Sequence, residues 1–165
     1  MTPLVSIVMG SDSDLDIMQE CATALKGFGV SYEMDISSAH RSPDRTAEFA
    51  RTAAARGVKV IIAAAGGAAH LAGVIAAHTT LPVIGVPISA TSLNGMDALL
   101  ATVQMPPGIP VATVSIGKWG ATNSAILAVQ MLALSDASLA TKLDEHKAKL
   151  ARGVEEKSAK LKASL

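Results

Sequence analysis

Leu4-Val5-Ser6-Ile7-Val8-Met9, closed by Gly10-Ser11-Asp12-Ser13-Asp14, is the stretch whose reading decides the fold. Six residues, nearly all apolar and ended by a glycine, have the length of a strand, and the missing polar alternation marks a strand covered on both faces. Leu15, Met18, Ala22 and Leu25 then recur at helical spacing until Gly27 and Gly29 end the pattern. Working outward, the alternation repeats, with strands expected over 31–36, 58–63, 82–86 and 109–115. Helices are expected over 43–56, 72–78, 94–103 and 121–134. Strict alternation with short connections requires right-handed crossovers and a parallel sheet with helices on both faces.

The chain has 165 residues, enough for one domain with a sizeable core and too few for two ordinary ones. We read 1–165 as a single domain, an α/β core over 1–135 followed by a C-terminal helix and tail over 136–165. That last segment holds seven of the fourteen Lys and Arg residues. Leu139, Leu143, His146, Leu150 and Val154 mark it as an amphipathic helix, solvated on one side and expected to fray after Gly153.

The fourteen basic side chains balance fourteen acidic ones, so overall charge gives no grip on nucleic acid or on an acidic membrane. Small-molecule chemistry is the better expectation. Between residues 60 and 135 the only formal charges are Asp97 and Lys118. A membrane span is not expected there, because the longest apolar stretch is mostly Ala and Gly and carries His70. A doubly covered sheet and extensive subunit contacts explain the charge-poor run, and a homo-oligomer is expected. Cys21 is the only cysteine, which excludes an internal disulfide and fits a reducing cytoplasm. The N-terminus carries no basic and apolar leader pattern, so no secretion signal is expected.

Ligands of open parallel sheets bind beyond the carboxyl ends of the strands, and three such loops carry usable chemistry. Gly10-Ser11-Asp12-Ser13-Asp14 opens a helix, where N–H groups with Ser11 and Ser13 could hold a phosphate and Asp14 could accept from ribose hydroxyls. Ordinary capping explains the same Ser-x-x-Asp pattern, and both readings stand. In Ser37-Ser38-Ala39-His40-Arg41-Ser42-Pro43, Ser42 and Pro43 read as the N-cap and first residue of a helix. Two basic side chains just ahead of a helix N-terminus oppose its dipole. An anionic ligand would account for Arg41, and a histidine such as His40 is suited to moving a proton near neutral pH. The third loop, Ala65-Gly66-Gly67-Ala68-Ala69-His70-Leu71, is small enough for its backbone to approach a ligand closely. It matches neither the dinucleotide fingerprint nor the phosphate-binding P-loop. His70 on its own is more often a satisfied core or interface histidine.

Absences narrow the chemistry. The four histidines show no metal-ligand spacing, so no metal is expected. No aromatic residue lies in the three loops to stack a flavin, and no G-x-S-x-G elbow supports a hydrolase.

Together with Val103-Gln104-Met105-Pro106-Pro107-Gly108-Ile109-Pro110, these loops resemble, in order, the signature segments of the bacterial class I N5-carboxyaminoimidazole ribonucleotide mutases, the PurE family. The resemblance runs from about Val5 to Leu134 and leaves the C-terminal tail outside it. It implies a flavodoxin-like αβα sandwich of three layers, a homo-octamer with sites at subunit contacts, and a cytoplasmic step of purine synthesis needing no cofactor. It also implies roles: His40 as general acid and base, Ser11, Ser13 and Arg41 as phosphate contacts, and Asp14 as a ribose contact. Ser38, Gly66, Gly67, Ala69, His70 and Leu71 would line the pocket for base and carboxylate. Two alternatives stay open. One is the class II carboxylase, which uses free carbon dioxide and typically differs in the Ser38–Arg41 and Ala69–Leu71 segments. The other is a non-catalytic nucleotide-binding domain on the same fold.

Overall fold

Five parallel strands form one sheet in the order β2-β1-β3-β4-β5 in this computed structural model, which describes residues 2–165. The strands are β1 (Val5–Met9), β2 (Tyr32–Ile36), β3 (Val60–Gly66), β4 (Val83–Ile88) and β5 (Ala112–Thr113). The helices are α1 (Leu15–Phe28), α2 (Pro43–Ala53), α3 (Leu71–Ala76), α4 (Met96–Val103), α5 (Lys118–Ala133) and α6 (Ala137–Ala163). This strand order is the flavodoxin-like one, and its direction reverses between β1 and β3.

The doubly covered reading of the first strand holds. Every residue of β1 is buried, as are the first five of β3 and all six of β4. Val8, Ile61, Ala63 and Val83 meet Ala50 and Ala53 of α2 and Leu71, Ala72 and Ile75 of α3 on one face. Right-handed crossovers put α1 on the other face, because the chain steps from β1 outward to β2 and then reverses. There Ser124 of α5 donates to the Cys21 sulfur of α1 at 3.6 Å. Burial pushes the Cys21 thiol up to about 12, so it stays a neutral packing group.

Several expected boundaries move, and four of the shifts matter here. The β5 strand shrinks from 109–115 to two residues at the sheet edge, pairing only Ile84↔Ala112 and Gly85↔Thr113. Pro110, inside the expected range, lacks the N–H that a longer ladder would need at its start. The α4 helix starts two residues late because Asn94 and Gly95 take positive φ, 53° and 85°. The β3 strand runs on to Gly66, carrying the third loop further than the periodicity suggests. Finally, α6 does not fray after Gly153 but continues to Ala163. The φ of Gly153 stays out of the left-handed region, and an isolated helical glycine costs only about 1 kcal/mol relative to alanine.

The chain divides into two compact units, one ending at Ala128 and the other Val129–Leu165. The second begins with the end of α5. Its long helix is capped by Asp136, whose Oδ1 accepts from the N–H groups of Ser138 (2.9 Å) and Leu139 (3.3 Å). No helix among the described residues is long and apolar enough to cross a membrane.

Candidate active site

At the switch point, the loops after β1, β2 and β3 enclose a cleft of about 350 Å³. Every residue expected in the site lines it except Gly67 and Ala69. Three strand ends far apart in sequence therefore deliver their polar residues to one place.

Arg41 joins the first two loops. Its Nη2 donates to the Gly10 carbonyl at 3.2 Å, while its backbone N–H and Nε donate to Ser38 Oγ at 3.1 and 3.4 Å. The guanidinium is thus held over the Ser11–Ser13 turn, where an anion would also meet the positive end of a helical turn. Ser11 is the N-cap of the turn Asp12–Asp14, its Oγ accepting from Ser13 N–H at 3.4 Å. Capping and anion binding, left open by the sequence, are compatible here, because that contact is long and both Ser11 and Ser13 face the cleft.

His40 joins the second and third loops. Its Nε2 lies 2.8 Å from His70 Nδ1, with the rings edge-to-face at 74°. One of the two nitrogens must lack its proton for this contact to be a hydrogen bond. Both rings are exposed at the cleft mouth, where a ligand can reach them. His70, which on its own reads more often as a core or interface histidine, is brought to the proton-transfer candidate.

Asp14 is the one carboxylate in the cleft and only 4% exposed. Burial raises its carboxyl above the usual range, opposed by the Ser13 hydroxyl bond and by the Ser11 backbone contact. Between the ordinary value and this raised one, the folded chain holds a proton that the unfolded chain has released. Folding stability therefore falls as pH rises through that window and stays reduced above it. Asp14→Asn is expected to raise the melting temperature at pH 7 and to lose that advantage below the ordinary carboxylate range. Melting curves at pH 7 and pH 3 check this; a variant less stable than wild type at pH 7 would refute it.

The two adjacent glycines have different reasons. A Cβ on Gly66 would lie 2.6 Å from Ala90 Cβ and 3.1 Å from the Ile88 carbonyl, so the end of β4 excludes any side chain there. Gly67 instead has a φ of +61°, in the left-handed region that favours glycine, and is not among the residues that line the cleft. Ala69 is buried at 2% exposure, its N–H donating to the Gly67 carbonyl at 2.9 Å. Sequence reasoning missed Ala90, which lines the cleft from the loop after β4. Its signal was available: it follows a strand, as the three chosen loops do, but carries no charged or imidazole group to draw notice. Among the described residues no three His, Cys, Asp or Glu side chains are placed to hold a metal ion.

Residues 4–153 match the family described as AIR carboxylase. The chain belongs to the AIR carboxylase family. The match reaches into α6, further than the loop motifs suggested. A Bacillus subtilis protein named N5-carboxyaminoimidazole ribonucleotide mutase is 55% identical, covering 98% of this chain and 99% of its own length. A Pyrococcus abyssi protein of the same name is 57% identical over 91% of this chain and 85% of its own. Among solved structures, the one titled "Crystal structure of Treponema denticola PurE" superposes with a TM-score of 0.87 at 30% identity. It covers 96% of this chain and 98% of that one. The AIR carboxylase family thus embraces both the fold and the three loops of the cleft.

Proposed function

We propose that this chain is an N5-carboxyaminoimidazole ribonucleotide mutase, an isomerase of purine biosynthesis that moves a carboxylate from N5 to C4 of the aminoimidazole ring. The observation that carries the reading is the cleft itself: one tethered arginine and two facing, exposed histidines, above a wall of small residues, in a chain 55% identical end to end to a protein of that name. The isomerisation needs little more. In our scheme the N5–carboxylate bond breaks, N5 gains a proton, and carbon dioxide is retained beside Gly66 and Ala68. C4 then attacks it as an enamine carbon and loses its proton. One group able to give and take a proton suffices, which is the part His40 plays. Arg41, Ser11 and Ser13 hold the phosphate, Asp14 the ribose, and Ser38, His70 and Leu71 border the base; no cofactor takes part.

The family name admits a second reading, a carboxylase acting on free carbon dioxide. The named mutases at 52–57% identity favour the first. A spectrophotometric assay separates the readings. We expect product from the carbamate nucleotide and none from aminoimidazole ribonucleotide with modest bicarbonate. The reverse result would make the chain a carboxylase, and binding of both without turnover would make it a nucleotide-binding module.

The protein works in the cytoplasm as a homo-octamer. Leu93, Met96, Leu100 and Val103 are exposed along α4 and the loop before it, and Trp119 is 82% exposed. An apolar surface of this kind favours burial between copies.

A further inference from the structure

Ser42 occupies the N-cap position of α2, yet its side chain makes no cap hydrogen bond. Its hydroxyl turns back on Ser38 instead, accepting from the Ser38 N–H at 3.2 Å and donating to the Ser38 carbonyl at 3.0 Å. The Ser42 N–H donates to that same carbonyl at 2.8 Å. Three bonds therefore close the five residues from Ser38 to Ser42 into a ring, and a fourth crosses it, from Arg41 N–H to Ser38 Oγ. The ring is anchored from below. Thr46 Oγ1 donates to the Ser42 carbonyl at 3.1 Å and lies 2.7 Å from Ser37 Oγ. Its single proton being used, Ser37 must be the donor in that buried pair.

We infer that Ser42 is a positioning residue for the reaction, its hydroxyl fixing the ring from which His40 and Arg41 project. This rests on the function proposed above and deepens it. Helix stability gives a serine at this position a cap bond to make, and the chain forgoes it for the clasp. His40 and Arg41 are exposed and project from loop backbone, so this ring sets where their side chains begin, while His70, Gly10 and Ser38 meet only their far ends. A displacement of about 1 Å at such groups can cost on the order of a hundredfold in rate.

The test uses the full chain and the carbamate assay with three variants, Ser42→Ala, Ser42→Thr and Ser42→Val. Thr keeps the hydroxyl and Val is its isostere without one. Expected are a fall in kcat/KM of roughly ten- to a hundredfold for Ala and Val, and Thr within about threefold of wild type. The fall should appear in both parameters, lower kcat through His40 and higher KM through Arg41. Plain loss of folded protein would lower kcat alone. Wild-type kinetics in Ala and Val, or a Thr variant as poor as Val, would overturn the inference; so would a fall in kcat with KM unchanged. If Ser42→Ala does not fold, the Thr and Val pair decides alone. Failure of the functional reading looks different, because wild type itself would then be inactive on the carbamate.

Discussion

His40→Asn is expected to lower kcat on the carbamate nucleotide by about 10²–10⁴-fold, the range that a positioned proton-transfer group supplies. Product affinity, measured by calorimetry, should stay within about threefold of wild type. Both halves follow from where His40 sits. Its ring stands exposed at the cleft mouth, with Nε2 2.8 Å from His70 Nδ1, so the substitution removes no buried packing. In the proposed reading phosphate affinity rests elsewhere, on Arg41 and the Ser11–Ser13 turn, and Arg41 is held by Gly10 and Ser38 and not by the imidazole. Asn can donate and accept, but it cannot carry a proton from one atom to another near pH 7. A loss confined to KM would make His40 a binding group. Retained turnover would remove it from the mechanism.

How much of this was legible beforehand depended on whether a residue acts through its own strip of sequence. Leu4–Met9 declared a doubly covered strand because both its faces are apolar, and β1 is buried throughout. The His40-Arg41 pair drew attention because its charges sit badly at a helix start, a purely local argument. The late start of β5 was also locally coded, in Pro110, but the apolar run from Ile109 overstated a strand that pairs at only two positions. What could not be read was tertiary. No pattern in Ser42-Pro43-Asp44 says that a cap residue will turn back on Ser38, because the choice depends on where β2 delivers the chain. Nor does His70 reveal its facing partner, thirty residues earlier in the chain. Ala90 was legible only by its place after a strand: an alanine carries no chemistry and matters only through what it excludes.

That exclusion gives the second large effect. Gly66→Ala would set a methyl 2.6 Å from Ala90 Cβ, closer than real side-chain carbons approach, and 3.1 Å from the Ile88 carbonyl. Neither neighbour is a flexible side chain that could swing aside. The strain, on the order of 1–3 kcal/mol for overpacking of this kind, has two outlets. The end of β3 moves, carrying Ala68 and His70 with it, or Ala90 moves further into the cleft that it already lines. Either changes the shape of the small-residue wall proposed to retain carbon dioxide. We expect kcat/KM to fall at least tenfold in Gly66→Ala while the circular dichroism spectrum stays that of an α/β fold. Ala90→Gly removes the opposing methyl, so the double variant should recover most of the loss, leaving only the tenths of an ångström owed to Ile88. Gly67→Ala is the control next door. Its added methyl meets only Thr91 Cγ2, at an ordinary 3.6 Å, so its cost is the left-handed backbone at φ +61°, roughly 1–2 kcal/mol. That cost should appear as a lower melting temperature and is not relieved by Ala90→Gly. If Ala90→Gly rescues neither glycine variant, or both alike, the steric wall between β3 and β4 is not what shapes the site.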